Sequence, residues 1–255
     1  MKNIKKILLI TAMTMSLGTS AFAASGFEFL FQLAGGAGVA IPNKEAKDLR
    51  FGNGLSFDAD ISAQIGYMFQ VKEGFGISVL GELGYAWDMY ITGYGSGTLS
   101  SNTSGGVTTY TYEGEDGVHI SQYYHSFKLG LLPKFNIGVG RGAIALGIGG
   151  GVKIPVAGNY HRTVETVGSS EVKENVQSES EIALKRKDIT DMFSPSVIGY
   201  MKVTFDYYLF FTDNIGMNFG LYLGGDFGPK MKEVKYGFNS FDIGLQLGFR
   251  FGPKA

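Results

Sequence analysis

Apolar and polar residues alternate along this chain with a period of two, and the pattern recurs in eight stretches. The first sets Phe27, Phe29, Phe31, Leu33, Val39 and Ile41 against Glu28, Gln32, Gly36 and Gly38. The second sets Leu55, Phe57, Ile61, Ile65, Tyr67 and Phe69 against Asp58, Asp60, Ser62 and Gln64, and the third sets Phe75, Ile77, Val79, Leu83, Tyr85 and Trp87 against Glu82, Gly84 and Asp88. The fourth runs from Tyr123 to Ile137 with Lys128 and Lys134 on its polar side. The fifth changes parity, with Ile144, Leu146, Ile148, Val152, Ile154 and Val156 against a glycine-rich set and Lys153. The last three, near 197–211, 215–227 and 241–251, return to apolar residues at odd positions. Such alternation places one set on each face of a strand. The runs are long for soluble strands and exceed the roughly 9–11 residues that a tilted strand needs to cross a bilayer.

The connections alternate in length. Val71–Gly74, Gly138–Gly142 and Thr212–Asn214 are short and carry Gly, Asp or Asn, which suit tight turns. Those near 42–54, 91–122, 157–195 and 228–239 are long. The expected fold is all-β: an eight-stranded antiparallel up-and-down transmembrane β-barrel, a meander with its long loops at one end. An even strand number returns both termini to the short-turn end, expected to be periplasmic. The two longest loops carry short alternating pieces of their own, such as Tyr160–Val167, and are expected to form hairpins beyond the bilayer.

Composition settles which face is inside. The apolar set supplies about six bulky side chains per strand, whereas the polar set is dominated by Gly, Ala and Ser; the chain holds 39 Gly and 20 Phe. An eight-stranded barrel has an interior only just wide enough for side chains to fill. The bulky set must therefore point outward, where lipid is the surface that accepts it. The inward set then includes Glu28, Asp58, Asp60, Glu82, Asp88, Lys128, Lys134, Lys153, Lys202, Asp206, Asp226, Asp242 and Arg250, expected to form a structural polar network. Aromatics near the strand ends, namely Phe27, Phe69, Phe75, Trp87, Tyr123, Phe135, Phe211, Phe249 and Phe251, read as a lipid-facing interfacial girdle.

Across residues 26–251 this pattern resembles the small eight-stranded outer-membrane barrels of bacteria, such as the OmpA transmembrane domain and OmpX. The last strand, Phe241–Phe251, is similar to the terminal strand that the barrel-assembly machinery recognises, although here Gly252–Ala255 follow the aromatic end. The resemblance implies an outer-membrane location and, as partners, outer-membrane and lipopolysaccharide-type lipids and that machinery during biogenesis.

Residues 1–23 read as a secretory signal peptide preceding a barrel domain over 24–255. Lys2, Lys5 and Lys6 precede the apolar stretch Ile7–Leu17, and Ala21-Phe22-Ala23 offers cleavage between Ala23 and Ala24. No other run of about 18 apolar residues follows. The absence of Cys excludes disulfides, thiol catalysis and Cys-ligated zinc. A formal net charge of −1 argues against nucleic acid as a partner.

No cofactor, metal or catalytic site is expected. Asp58 and Asp60 lie two apart on one face, as lumen alternation produces in any case. His119, His125 and His161 fall at or near the long-loop end. Some eight-stranded outer-membrane barrels are lipid A-modifying enzymes that use His there, but the neighbours His125 and Ser126 point to opposite faces and make a poor nucleophile–base pair. The leading expectation is a non-enzymatic structural or surface-interaction role, adhesion-like, in which the long loops engage an extracellular ligand. A narrow porin-like channel for water, ions or small solutes is the alternative, and a lipid A-modifying enzyme the third reading.

Overall fold

The computed structural model of the chain describes residues 25–95, 97–104, 107–114, 117–166 and 176–254. The expected signal peptide, with its Ala23–Ala24 junction, lies outside the described residues. The described residues form twelve strands: β1 (Gly26–Pro42), β2 (Gly54–Lys72), β3 (Phe75–Tyr94), β4 (Gly97–Ser104), β5 (Val107–Gly114), β6 (Gly117–Leu131), β7 (Lys134–Val139), β8 (Gly142–Thr166), β9 (Val176–Lys185), β10 (Ile198–Phe210), β11 (Ile215–Lys230) and β12 (Gly237–Phe251). Two short helices, α1 (Lys44–Asp48) and α2 (Arg186–Met192), lie in the long connections.

β6 and β7 are one barrel strand. Gly81 of β3 pairs with Leu131 and Ser78 with Lys134, so the register runs unbroken past Leu132 and Pro133. Pro133 has no N–H to donate, which interrupts the ladder without shifting it. The ring then holds eight antiparallel strands and closes through β12 on β1 and β10 on β8. Closure leaves no backbone edge facing lipid within the barrel.

The stagger follows from the pairings. From Phe29, paired residues lead once round the ring through Ile65, Gly81, Leu131, Gly150, Met201, Gly225 and Phe241. They return to β1 at Val39, ten residues further along. With ordinary strand spacing and rise, this fixes a strand tilt of about 40° and a backbone radius of about 8 Å.

The alternation resolves as the steric argument requires. Phe57, Leu131, Phe205 and Leu245 point outward with exposures of 36%, 64%, 48% and 67%. The facing polar positions are buried in the bore. At the lower end the turns are tight; Glu73-Gly74 joins β2 to β3, and Gly74 takes the left-handed conformation (φ +74°) that glycine adopts without strain.

At the upper end the strands outrun the ring, and the stretches 91–122 and 157–195 contain more regular structure than open loops would. β3, β6, β8 and β9 continue as a four-stranded sheet, and β4 pairs with β5 as a separate hairpin. One β-bulge marks the departure. His125 pairs with Ala157 but Ser126 with Pro155, leaving Val156 as the extra residue. Beyond it the parity of β8 reverses, so Tyr160 turns inward while Val156, read as one of the outward set, sits at the switch.

Candidate functional site: the lumen and the upper mouth

The lumen is filled in tiers. At the lower end, Arg250 on β12 reaches Glu28 on β1 at 3.3 Å and Asn136 on β7 at 3.2 Å, with its guanidinium 4.4 Å above the Tyr208 ring. Asn136 donates in turn to Ser78, which donates to Glu28. Leu30, Leu80, Ala143, Ala145 and Phe210 pack around this group. One step up, Lys134 donates to Asp206 at 3.0 Å and to the Tyr208 hydroxyl at 3.2 Å, and Gln246 and Thr204 donate to the same carboxylate.

The middle tier is built round Lys128. It lies 2.9 Å from Asp60 and 3.3 Å from Glu82, and 4.8 Å from the centre of the Tyr200 ring. Tyr200 donates its hydroxyl to Glu82 at 2.6 Å, and Lys202 joins Asp60 at 3.7 Å. Tyr222 donates to Asp58 at 2.6 Å and carries Lys202 above its ring. In the upper tier Lys153 bridges Asp88 and Asp226, while Asp242 accepts from Ser56 and Ser240. The void beside these charges measures about 20 Å³, room for about one water.

All thirteen polar residues expected inside are therefore in the bore, drawn together in these three groups. Sequence reading did not single out Tyr200, Tyr208 and Tyr222, which bridge the charges. Their even positions give them the same inward parity as Lys202, Asp206 and Asp226, and that parity was the available signal. Close packing accompanies the rings: a side chain at Gly130 would collide with the Tyr200 hydroxyl.

Above the charges the lumen turns apolar. Ala40, Phe51, Tyr90, Val118, Ile120, Tyr124, Tyr160, Leu184, Ile189, Phe193, Ile198, Tyr236 and Phe238 form one buried cluster. Every long connection contributes. Asn43 caps α1 by accepting from the Ala46 amide at 2.9 Å and ties it to the β11–β12 connection through the Lys235 carbonyl at 2.8 Å. α2 begins where Asp188 accepts from the Lys185 amide, and Arg186 clamps the carbonyls of Pro155 and Ser196 at 3.0 and 2.7 Å. Burial, then the hydrogen bond to Tyr160, pushes the Tyr236 phenol well above its ordinary range, so it stays protonated.

The nine girdle candidates all occupy outward positions. Phe27, Phe69, Phe135, Phe211, Phe249 and Phe251 are exposed, and Phe75, Trp87 and Tyr123 are half-buried against neighbours. Phe31, Phe127, Phe205 and Phe219 are also outward, between the ends of their strands, so the aromatic coat extends beyond two bands. His125 bonds the Tyr85 hydroxyl on this outer surface, and His161 lies 3.2 Å from the Thr163 hydroxyl.

A closed ring, an apolar coat and an ion-paired interior define the class: this is an eight-stranded transmembrane β-barrel. No protein-family model matches the chain, and no curated protein matches it. Similar solved structures include Neisserial surface protein A, with 12% identity, a TM-score of 0.35, and coverage of 89% of this chain and 99% of that one. The outer membrane protease OmpT from Escherichia coli shows 8% identity, a TM-score of 0.37, and coverage of 91% and 98%. Ail, the attachment invasion locus protein of Yersinia pestis, shows 9% identity, a TM-score of 0.28, and coverage of 88% and 98%.

Proposed function

We propose that the protein is a closed surface barrel that engages a partner through the strands rising above the membrane, with both termini on the periplasmic side. The observation that carries this reading is the filling of the bore: Lys153 links Asp88 to Asp226 across the lumen, beneath a buried aromatic cluster. The upper sheet is what remains available. Among the described residues the outer edge of β9 pairs with no further strand, and an exposed edge can recruit an extended segment of another protein.

The test has two arms. In planar bilayers the protein should give no discrete conductance steps above background; regular steps would establish the channel instead. Replacing 97–114 by a short Gly-Ser link, or β9 by the same, should leave a heat-modifiable barrel and remove binding to host cells or matrix. Binding retained by both variants would overturn the surface-interaction reading.

The reading is also non-enzymatic. The histidine contacts support it, since His125 meets a tyrosine and His161 a threonine. Lipopolysaccharide incubated with the purified protein should keep its acyl chains by mass spectrometry; their loss would show an enzyme. Cleavage after Ala23 belongs to the same proposal, with Ala24 expected as the first residue of the membrane-inserted chain by mass.

A further inference from the structure

The upper mouth contains a cleft of about 550 Å³, within the usual size of small-ligand sites. It lies above the aromatic cluster and apart from the β9 edge on which the surface-interaction reading rests. Its wall is mostly apolar and comes from every long connection: Leu49 and Phe51 after α1, Val118 and Ile120 on β6, Met192 on α2, and Val234 between β11 and β12, with the carboxylates Asp191 and Glu233 and the cations Arg162 and Lys232 as its charged members. Phe51, Val118 and Ile120 are buried at its base, whereas Leu49 and Val234 stand exposed at its rim.

Two polar features converge on this apolar hollow. The hydroxyls of Tyr160 and Tyr236 bond each other at 2.9 Å in its wall. Arg162, two residues along β8 from Tyr160, also lines it and is exposed to solvent at the mouth. Asp191 and Glu233 line the cleft as well, and neither lies within ion-pair distance of Arg162. The other lining cation, Lys232, is held by the Thr190 carbonyl at 2.7 Å. A guanidinium with five donors beside an apolar hollow is complementary to an acidic head on an apolar tail.

We infer that this cleft binds a single-chain amphiphile with an acidic head, of the fatty-carboxylate class. The tail packs among Phe51, Val118, Ile120 and Met192, and the head meets Arg162 and the Tyr160–Tyr236 hydroxyl pair. The occupant is a soluble molecule arriving from outside, because the lining faces the bore and not the lipid.

Decanoate and decanol, kept below micelle-forming concentration, test the assignment on full-length protein in lipid nanodiscs labelled with 3-fluorotyrosine. Tyr160 and Tyr236 resonances are assigned with Tyr→Phe variants. Decanoate should shift both in a saturable way. Arg162→Gln should weaken decanoate about tenfold, the scale of one charge-assisted contact, and leave decanol unchanged. Val234→Trp, which fills the rim from an exposed position, should abolish saturable binding of both while heat-modifiability on gels confirms an intact barrel. Absence of a saturable shift would overturn the site. Equal decanoate affinity in Arg162→Gln would overturn the acidic head and leave a plain apolar solute as the occupant. Shifts that follow protein concentration without ligand, with a doubled mass by light scattering, would assign the cleft to a second copy of the chain and overturn the proposal.

Discussion

Lys134 and Asp206 are both completely shut off from solvent, and each is tolerable only because the other is 3.0 Å away. Burying a lone charge costs several kcal/mol, so the attraction mainly cancels a penalty. Lys134→Met should therefore lower stability by about 3–5 kcal/mol, because Asp206 is left with an uncompensated charge. The double variant Lys134→Met with Asp206→Leu should recover most of that loss. Urea unfolding of barrels in vesicles, followed by gel mobility, reads both. The charges themselves were legible in the sequence, because parity alone assigns Lys134 and Asp206 to the bore. Their pairing was not. It depends on the stagger of ten residues, which decides which heights meet across the lumen, and no local pattern encodes that number.

Strand by strand, the outward faces carry the membrane assignment. Leu245 lies midway along β12 and is among the most exposed large apolar residues. Leu245→Arg should cost about 2–4 kcal/mol in vesicles, the usual penalty near the bilayer midplane, whereas Leu245→Ala should cost much less. The same change at Ile182 on β9, which is exposed above the ring, should have little effect. A similar loss at both positions would argue against a lipid-facing coat on β12. The eight strands were legible because bulky and small residues alternate over long runs. The bulge was not, since Pro155 and Val156 extend a run whose apolar character continues on both sides. Pro133 breaks the ladder but not the register, and its effect depends on neighbours that are remote in sequence. The upper sheet was legible only as short alternating pieces, because strands in water lack the bulky outward coat that marks the others.

Taken whole, the molecule is a tube sealed by two different chemistries, ionic pairing in the bore and aromatic packing at the mouth. Sealing depends on all the long connections meeting over one cluster. Replacing Phe193, which packs edge-on against Tyr124 with ring centres 6.2 Å apart, by Ala should loosen that cover. The expected cost is about 3–5 kcal/mol if the site cannot collapse, and bilayer currents should stay silent because the ion-paired tiers beneath are untouched. Discrete currents in Phe193→Ala would instead make the cluster the main barrier. Glu28 and Arg250 belong to this scale as well, for they join the first barrel strand to the last across 222 positions of sequence. The strand synthesised last thus carries the counter-ion that the strand synthesised first is waiting for. A chain halted before Arg250 would leave Glu28 buried at the seam without its cation, a cost that would oppose closure of the ring.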